Sequence, residues 1–209
     1  MARKLDRVYI VDVEATCWKE KRPDTQISEI IQVGIVELNL LSGSISSKVS
    51  YNIGPQYSEV SGFCTELTGI TPEELEGEKN FSEVCDMIKE RFPHLKNYTW
   101  ASYGDYDRKH FEEMSNLHKR PYLFGRTHIN IKNLFALKWG LKKEVGMRKA
   151  LNILNKELVG QHHNALDDAL NITAIFKACF MSKTVGKNDT IDDSEKLAQL
   201  KDKGIISEE

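Results

Sequence analysis

Four cysteines are all that 209 residues provide, and no two of them fall in a CxxC spacing. Cys17, Cys64, Cys85 and Cys179 therefore form neither a zinc-ligand pattern nor the framework of a disulfide-stapled domain. The expectation is four free thiols in a reducing, cytoplasmic setting. No apolar run reaches the roughly 18 residues that mark a membrane-spanning helix. The one early apolar stretch, Val8-Tyr9-Ile10-Val11, is broken by Asp12 and Glu14 too soon for a secretory signal peptide. Charge of one sign is lacking too: 29 basic residues face 31 acidic ones, a formal net charge of −2. Residues 183–209 hold five lysines against seven acids, so residues 1–182 are neutral. Such a chain has no bulk positive field with which to grip long duplex nucleic acid.

Hydrophobic residues make up 40% of the sequence, enough for a sizeable core. The length suits one domain, expected over residues 1–182. The charged, thinly apolar tail at 183–209 is expected to be loosely ordered and dispensable for catalysis. Apolar runs at 7–13, 30–39 and 44–53 read as strands, with shorter ones near Tyr98 and Thr127. Thr71-Pro72-Glu73-Glu74 reads as a capping box with proline in the first turn. Asn80 with Glu83 opens a helix over 81–92, whose Phe81, Val84, Cys85, Ile88 and Phe92 form one apolar stripe. Strands alternating with helices predict an α/β fold, a mixed β-sheet flanked by helices on both faces.

The chemistry begins at Asp12-Val13-Glu14. Side chains two apart in a strand share a face, so two carboxylates project together from the end of a buried strand. Side by side and poorly solvated, they repel, and the usual compensation is a divalent cation. Alone, the tripeptide is common and most examples are solvated surface. A second group stands at His163-Asn164-Ala165-Leu166-Asp167-Asp168-Ala169, with the histidine five residues before Asp168. It opens a stretch in which Leu166, Ala169, Leu170, Ile172, Thr173, Phe176 and Cys179 recur near helical spacing. The small Ala165 and Ala169 let this helix lie close to the sheet that carries Asp12. Between the two groups, Trp100 to Asp107 runs from a strand through a glycine turn into a helix. Asp107 is the preferred third acid, while Asp105 fits the N-cap of that helix. His162 fits the histidine-to-aspartate spacing one residue less well. Asp167 is expected to face away or to cap the helix.

Asp12-Val13-Glu14-Ala15-Thr16, Tyr103-Gly104-Asp105-Tyr106-Asp107 and His163 to Ala169 stand in the order and rough spacing of three known motifs. They resemble those of DEDD-type 3′–5′ exonucleases of the subclass with a histidine before the last aspartate. Glu14-Ala15-Thr16-Cys17-Trp18, Glu29-Ile30-Ile31-Gln32 and Phe63-Cys64-Thr65-Glu66-Leu67-Thr68-Gly69-Ile70-Thr71 resemble the Eri-type branch. That branch acts on histone mRNA and small RNA and includes bacterial KapD-type proteins. The likeness runs from about Val8 to Phe180. No counterpart is expected for the SAP-like module of the animal enzymes, so stem-loop specificity is not carried over. The second motif is looser than in proofreading exonucleases, which leaves Asp105 open beside Asp107.

The resemblance implies a ribonuclease-H-like fold and hydrolysis by two Mg²⁺ or Mn²⁺ ions roughly 3.5–4 Å apart. Asp12, Glu14, Asp107 and Asp168 would hold them, with Asp12 between the two, and hard oxygen ligands suit these ions. His163 would act as general base near its ordinary pKa of about 6.5. The product would be nucleoside 5′-monophosphates from the 3′ end of single-stranded nucleic acid, RNA preferred. Thr16, Leu67, Gly69 and Ile70 would contact the terminal sugar and base, although Leu67 and Ile70 suit core positions equally well. Arg108, Lys109, Lys138, Lys142, Lys143, Arg148 and Lys149 are available to the phosphate backbone, though each alone suits a solvated face. Two rivals are a DNA-directed proofreading or repair exonuclease and a non-catalytic regulatory binding module. The second has no physical need for four converging acids.

Overall fold

A computed structural model of the chain describes residues 5–181, and the tail expected at 183–209 lies outside them. β1 (Arg7–Ala15), β2 (Ile30–Asn39) and β3 (Ile45–Asn52) form an antiparallel meander. β4 (Thr99–Ser102) and β5 (His128–Asn130) extend the sheet in parallel from the other side of β1, giving the order β3-β2-β1-β4-β5. Seven α-helices follow the chain: α1 (Gly62–Thr68), α2 (Pro72–Leu75), α3 (Phe81–Arg91), α4 (Tyr106–Leu117), α5 (Ile131–Lys138), α6 (Met147–Ile153) and α7 (Ala165–Phe180). The mixed sheet with helices on both faces is the expected architecture. Strand β1 runs past the apolar stretch because Asp12 and Glu14 stay in the ladder, opposite Gly34 and Gln32 of β2.

Period-2 alternation sorts β1 between two cores. Tyr9, Val11 and Val13 pack with Val33, Ile35 and the stripe of α3, joined by Phe111 and Met114 of α4. Val8 and Ile10 face the other way, with Val36, Leu38 and the apolar sides of α5, α6 and α7. Asp12 and Glu14 continue the Val8–Ile10 row, so the strand's parity alone sends both carboxylates toward α7. Both predicted capping boxes form: Thr71 with Glu74 at α2, and Asn80 with Glu83 at α3. Helix α3 ends one residue early, with Phe92 as its C-cap and still buried. All four cysteines are free thiols, Cys64 and Cys85 buried, Cys17 and Cys179 partly so. Among the described residues no helix is long and apolar enough to cross a membrane.

Gly34 sets how closely α7 approaches the sheet. It sits opposite Asp12, and a Cβ there would overlap the backbone carbonyl of Ala165 at the start of α7. Backbone on backbone cannot yield by rotamer change, so glycine is required for close approach. Gly34→Ala is expected to push the start of α7 off the sheet and cost about 1–3 kcal/mol of stability. Urea unfolding of the variant beside the parent tests it. An unchanged midpoint would mean that the contact is not tight.

Candidate active site

Three elements bring the acids together. Strand β1 outruns β4, whose pairing stops at Ile10 with Ala101. Beyond that point the N–H of Val13 lacks a strand partner, and Asp107 takes it at 3.1 Å. Asp107 lies in the first turn of α4 and is only 4% exposed. The chain reaches it through Gly104, whose φ of 118° lets β4 turn directly into α4.

The third element is the start of α7. Asn164 is its N-cap and accepts the Asp167 N–H at 3.2 Å. Gln32 accepts the Ala165 N–H at 2.8 Å, and its amide is held by Asn52 at 3.0 Å. A side chain of β2 thus caps the helix and pins it beside Glu14. Asp168 follows, 4% exposed. Its Oδ2 accepts the backbone N–H of His163 at 2.9 Å and meets His162 Nδ1 at 2.8 Å. Its Oδ1 is buried with no hydrogen-bond partner. His163 has a positive φ of 65°, a conformation that costs a non-glycine residue energy and persists only where the surroundings enforce it.

The result is a cleft of about 340 Å³ lined by Asp12, Glu14, Asp107, Asp168, His162 and His163. Carboxylate oxygens of Asp12, Glu14 and Asp168 lie within 4.8 Å of one another. Burial, then repulsion from Asp107, Glu14 and Asp168, raises the Asp12 carboxyl well above its ordinary range. The same causes push Glu14 up to about 8, with repulsion from Asp168 and Asp107. Burial lifts Asp107 to about 6, opposed by hydrogen bonds from its own backbone N–H, Ser102 and Val13. His163 is lowered, first by burial, then by its neighbour His162. Crowded acids, all-oxygen donors and an unpartnered Asp168 oxygen are what a hard divalent cation relieves, and the residues present fit one.

The structure gathers Asp12, Glu14, Asp107, Asp168 and His163, as the sequence predicted. Asp105 points elsewhere: 45% exposed at its side chain, it pairs with Arg108 at 3.4 Å. It occupies the N-cap of α4 but makes no capping bond. Leu67 lines the cleft and is 37% exposed. Gly69 caps α1 with a φ of 77° and lies against the Gln161 side chain, which donates to the Thr68 carbonyl at 3.4 Å. Two sequence expectations are corrected. Thr16 is fully buried; its hydroxyl donates to the Ile27 carbonyl and accepts the Glu29 N–H, so it braces a loop and offers no surface to a ligand. Ile70 sits in a small core with Ile31, Cys64 and Leu75. Asp167 does face away, accepting the Gln161 N–H at 2.8 Å. His162 is no bystander, since its ring lines the cleft and is stacked on His163 at 4.0 Å. Tyr103, Tyr106 and Met147 also line the cleft. Sequence reasoning passed over them because aromatic and apolar residues beside a motif look like core.

The crowded acids have a consequence for stability. Glu14 titrates at an ordinary 4.5 when unfolded and near 8 when folded. Its contribution is therefore present in full below about 4.5 and is lost as pH rises through 8. The metal-free protein is expected to melt at a lower temperature at pH 8 than at pH 5, and Glu14→Gln to flatten that fall. Each kcal/mol relieved raises the midpoint by roughly 2–4 °C. Calorimetry in EDTA across this range is the check, and a parent midpoint that rises with pH would contradict the burial of these acids.

Comparison with known proteins agrees with this geometry. The profile of the exonuclease family RNase_T matches residues 9–176. Human 3′-5′ exoribonuclease 1 is 28% identical over 182 residues, covering 81% of this chain and 51% of the relative. Zebrafish (Danio rerio) ERI1 exoribonuclease 2 is 29% identical over 224 residues, covering 93% of this chain and 38% of the relative. The chain thus spans about half or less of the length of these curated relatives. The nuclease domain of 3′hExo, a DEDDh family member bound to rAMP, superposes with a TM-score of 0.79 at 25% identity, over 86% of this chain and 94% of that one. Cell-death related nuclease 4 shares the fold, with a TM-score of 0.72 at 20% identity over 86% of this chain and 65% of that one. The shared architecture is ribonuclease-H-like, the chain is similar to Eri-type enzymes and to a DEDDh nuclease domain, and with the profile match spanning every acid of the cleft, this chain belongs to the exonuclease family.

Proposed function

We propose that this protein is a metal-dependent 3′–5′ exoribonuclease that releases nucleoside 5′-monophosphates from single-stranded RNA. The observation that carries the reading is the convergence of Asp12, Glu14, Asp107 and Asp168 with His163 in one cleft. Its relatives named as 3′-5′ exoribonuclease 1 and ERI1 exoribonuclease 3 support RNA as the substrate class. So does the neighbour bound to rAMP. A neutral domain suits an enzyme that grips a few nucleotides at one end. Free thiols at all four cysteines support a cytoplasmic location.

Asp12, Glu14, Asp107 and Asp168 would hold Mg²⁺ or Mn²⁺ ions. When bound, such ions supply an activated water and neutralise the leaving 3′-oxygen. Burial favours the neutral imidazole of His163. A neutral ring at pH 7 accepts the proton of the attacking water on its free nitrogen. Leu67 offers the terminal nucleotide apolar surface. Tyr106, 55% exposed at the cleft, offers a ring on which a base can stack. Arg148 is exposed, and its charge helps lower the His163 pKa, so it adds positive potential on the His163 side of the cleft.

Matched 5′-labelled RNA and DNA oligonucleotides test the reading. The expected result is a ladder shortening from the 3′ end of RNA with Mg²⁺ or Mn²⁺, abolished by EDTA and by Asp12→Ala. A ladder of equal rate on DNA would move the assignment to a DNA-directed exonuclease. No ladder from folded, metal-loaded protein would favour a binding module. His163→Ala is expected to slow cleavage roughly 10²–10⁴-fold and to remove the acidic limb of the pH–rate profile. A variant that keeps that limb would show that another group takes the proton.

A further inference from the structure

The two oxygens of Asp168 are treated differently. Oδ2 receives two contacts, the His163 N–H at 2.9 Å and His162 Nδ1 at 2.8 Å. Oδ1 is equally buried and receives none. An ionised carboxylate only accepts hydrogen bonds, so His162 Nδ1 carries the proton in this pair. The loop before α7 makes the double contact possible. Asp167 holds the Gln161 N–H at 2.8 Å, and the Gln161 side chain reaches across to the Thr68 carbonyl. With Gln161 fixed on both sides, the left-handed turn at His163 brings the ring of one histidine and the backbone N–H of the next onto the same oxygen.

We propose that His162 is a positioning residue, whose Nδ1–H fixes Asp168 through Oδ2 so that Oδ1 alone is presented to the metal site with Asp12 and Glu14. This rests on the reading of the cleft as a divalent-cation site. The geometry gives His162 a second task through the same ring. Its face lies 4.0 Å from the ring of His163, with 17° between the planes, so one side chain aligns both an acid and the proposed base. A carboxylate tethered at one oxygen keeps a single orientation, and the orienting partner of a metal ligand typically contributes 10–100-fold in metal affinity. His162 is distinct from the spacing-matched histidine, and the exonuclease chemistry does not by itself call for it.

The test is Mn²⁺ binding to the whole chain, followed by the electron paramagnetic resonance signal of free Mn²⁺, for the parent, His162→Leu, His162→Asn and Asp12→Asn. Circular dichroism in EDTA checks that each is folded. His162→Leu is expected to bind Mn²⁺ 10–100-fold more weakly. Asparagine places an amide N–H where histidine has Nδ1, so His162→Asn is expected to recover most of that loss, and a merely space-filling role would not produce this rescue. Parent-like binding by His162→Leu, alongside loss in Asp12→Asn, would overturn the role of His162 alone. Folded His162→Asn binding as weakly as His162→Leu would overturn it too. Parent and Asp12→Asn binding equally would overturn the cation site itself, and His162's role with it.

Discussion

The structure is organised around one electrostatic burden: four carboxylates crowded into one cleft. Like charges at this spacing cannot all ionise without help, which is why Asp12, Glu14 and Asp107 are all displaced upward from their ordinary pKa range. A protein tolerates such a cluster only where the surrounding frame is too stiff to let the acids separate. Here the frame is the central strand β1, buttressed on both faces by separate cores.

Contacts to the backbone add to this packing. Gly34 lets α7 rest on the sheet, Gln32 holds the first N–H of that helix, and Val13 gives its own N–H to Asp107. In each case a group that would otherwise be unsatisfied or excluded is used to fix an acid. The same economy runs through the loop before α7. There Asp167 ties down Gln161, Gln161 reaches α1, and α1 brings Leu67 to the mouth of the cleft. The two adjacent aspartates at the start of α7 therefore face different ways, Asp167 into the loop and Asp168 into the cleft.

Much of this was legible in the sequence. Strand parity put Asp12 and Glu14 on one face, the two capping boxes located α2 and α3, and the small Ala165 and Ala169 marked a helix seated on the sheet. These are short-range rules, and they held. What sequence could not deliver depends on contacts between residues far apart along the chain. Thr16 beside the acids looked like a substrate contact, yet its hydroxyl closes onto Ile27 and Glu29. Leu67 lies in the last turn of α1 and Ile70 just past its Gly69 cap, and only the packing beneath them decides which one is buried. His162 was discounted on spacing, because spacing reports backbone position. Its Nδ1 contact with Asp168 goes with a left-handed residue at position 163, a conformation that periodicity and spacing do not report.

That left-handed residue sets stability against chemistry. At φ 65° the backbone of position 163 suits glycine or asparagine, and holding a histidine there costs on the order of 1–2 kcal/mol. A glycine there would relieve the strain and keep the N–H that Asp168 accepts, but would lose the ring stacked on His162. Backbone strain and the proposed base therefore fall on the same residue, so the position the fold would most readily relax is also the one the proposed chemistry depends on. The imidazole at position 163 is thus carried by a backbone that favours other residues, held there by its stacking on His162 and by the hold of Asp168 on its N–H.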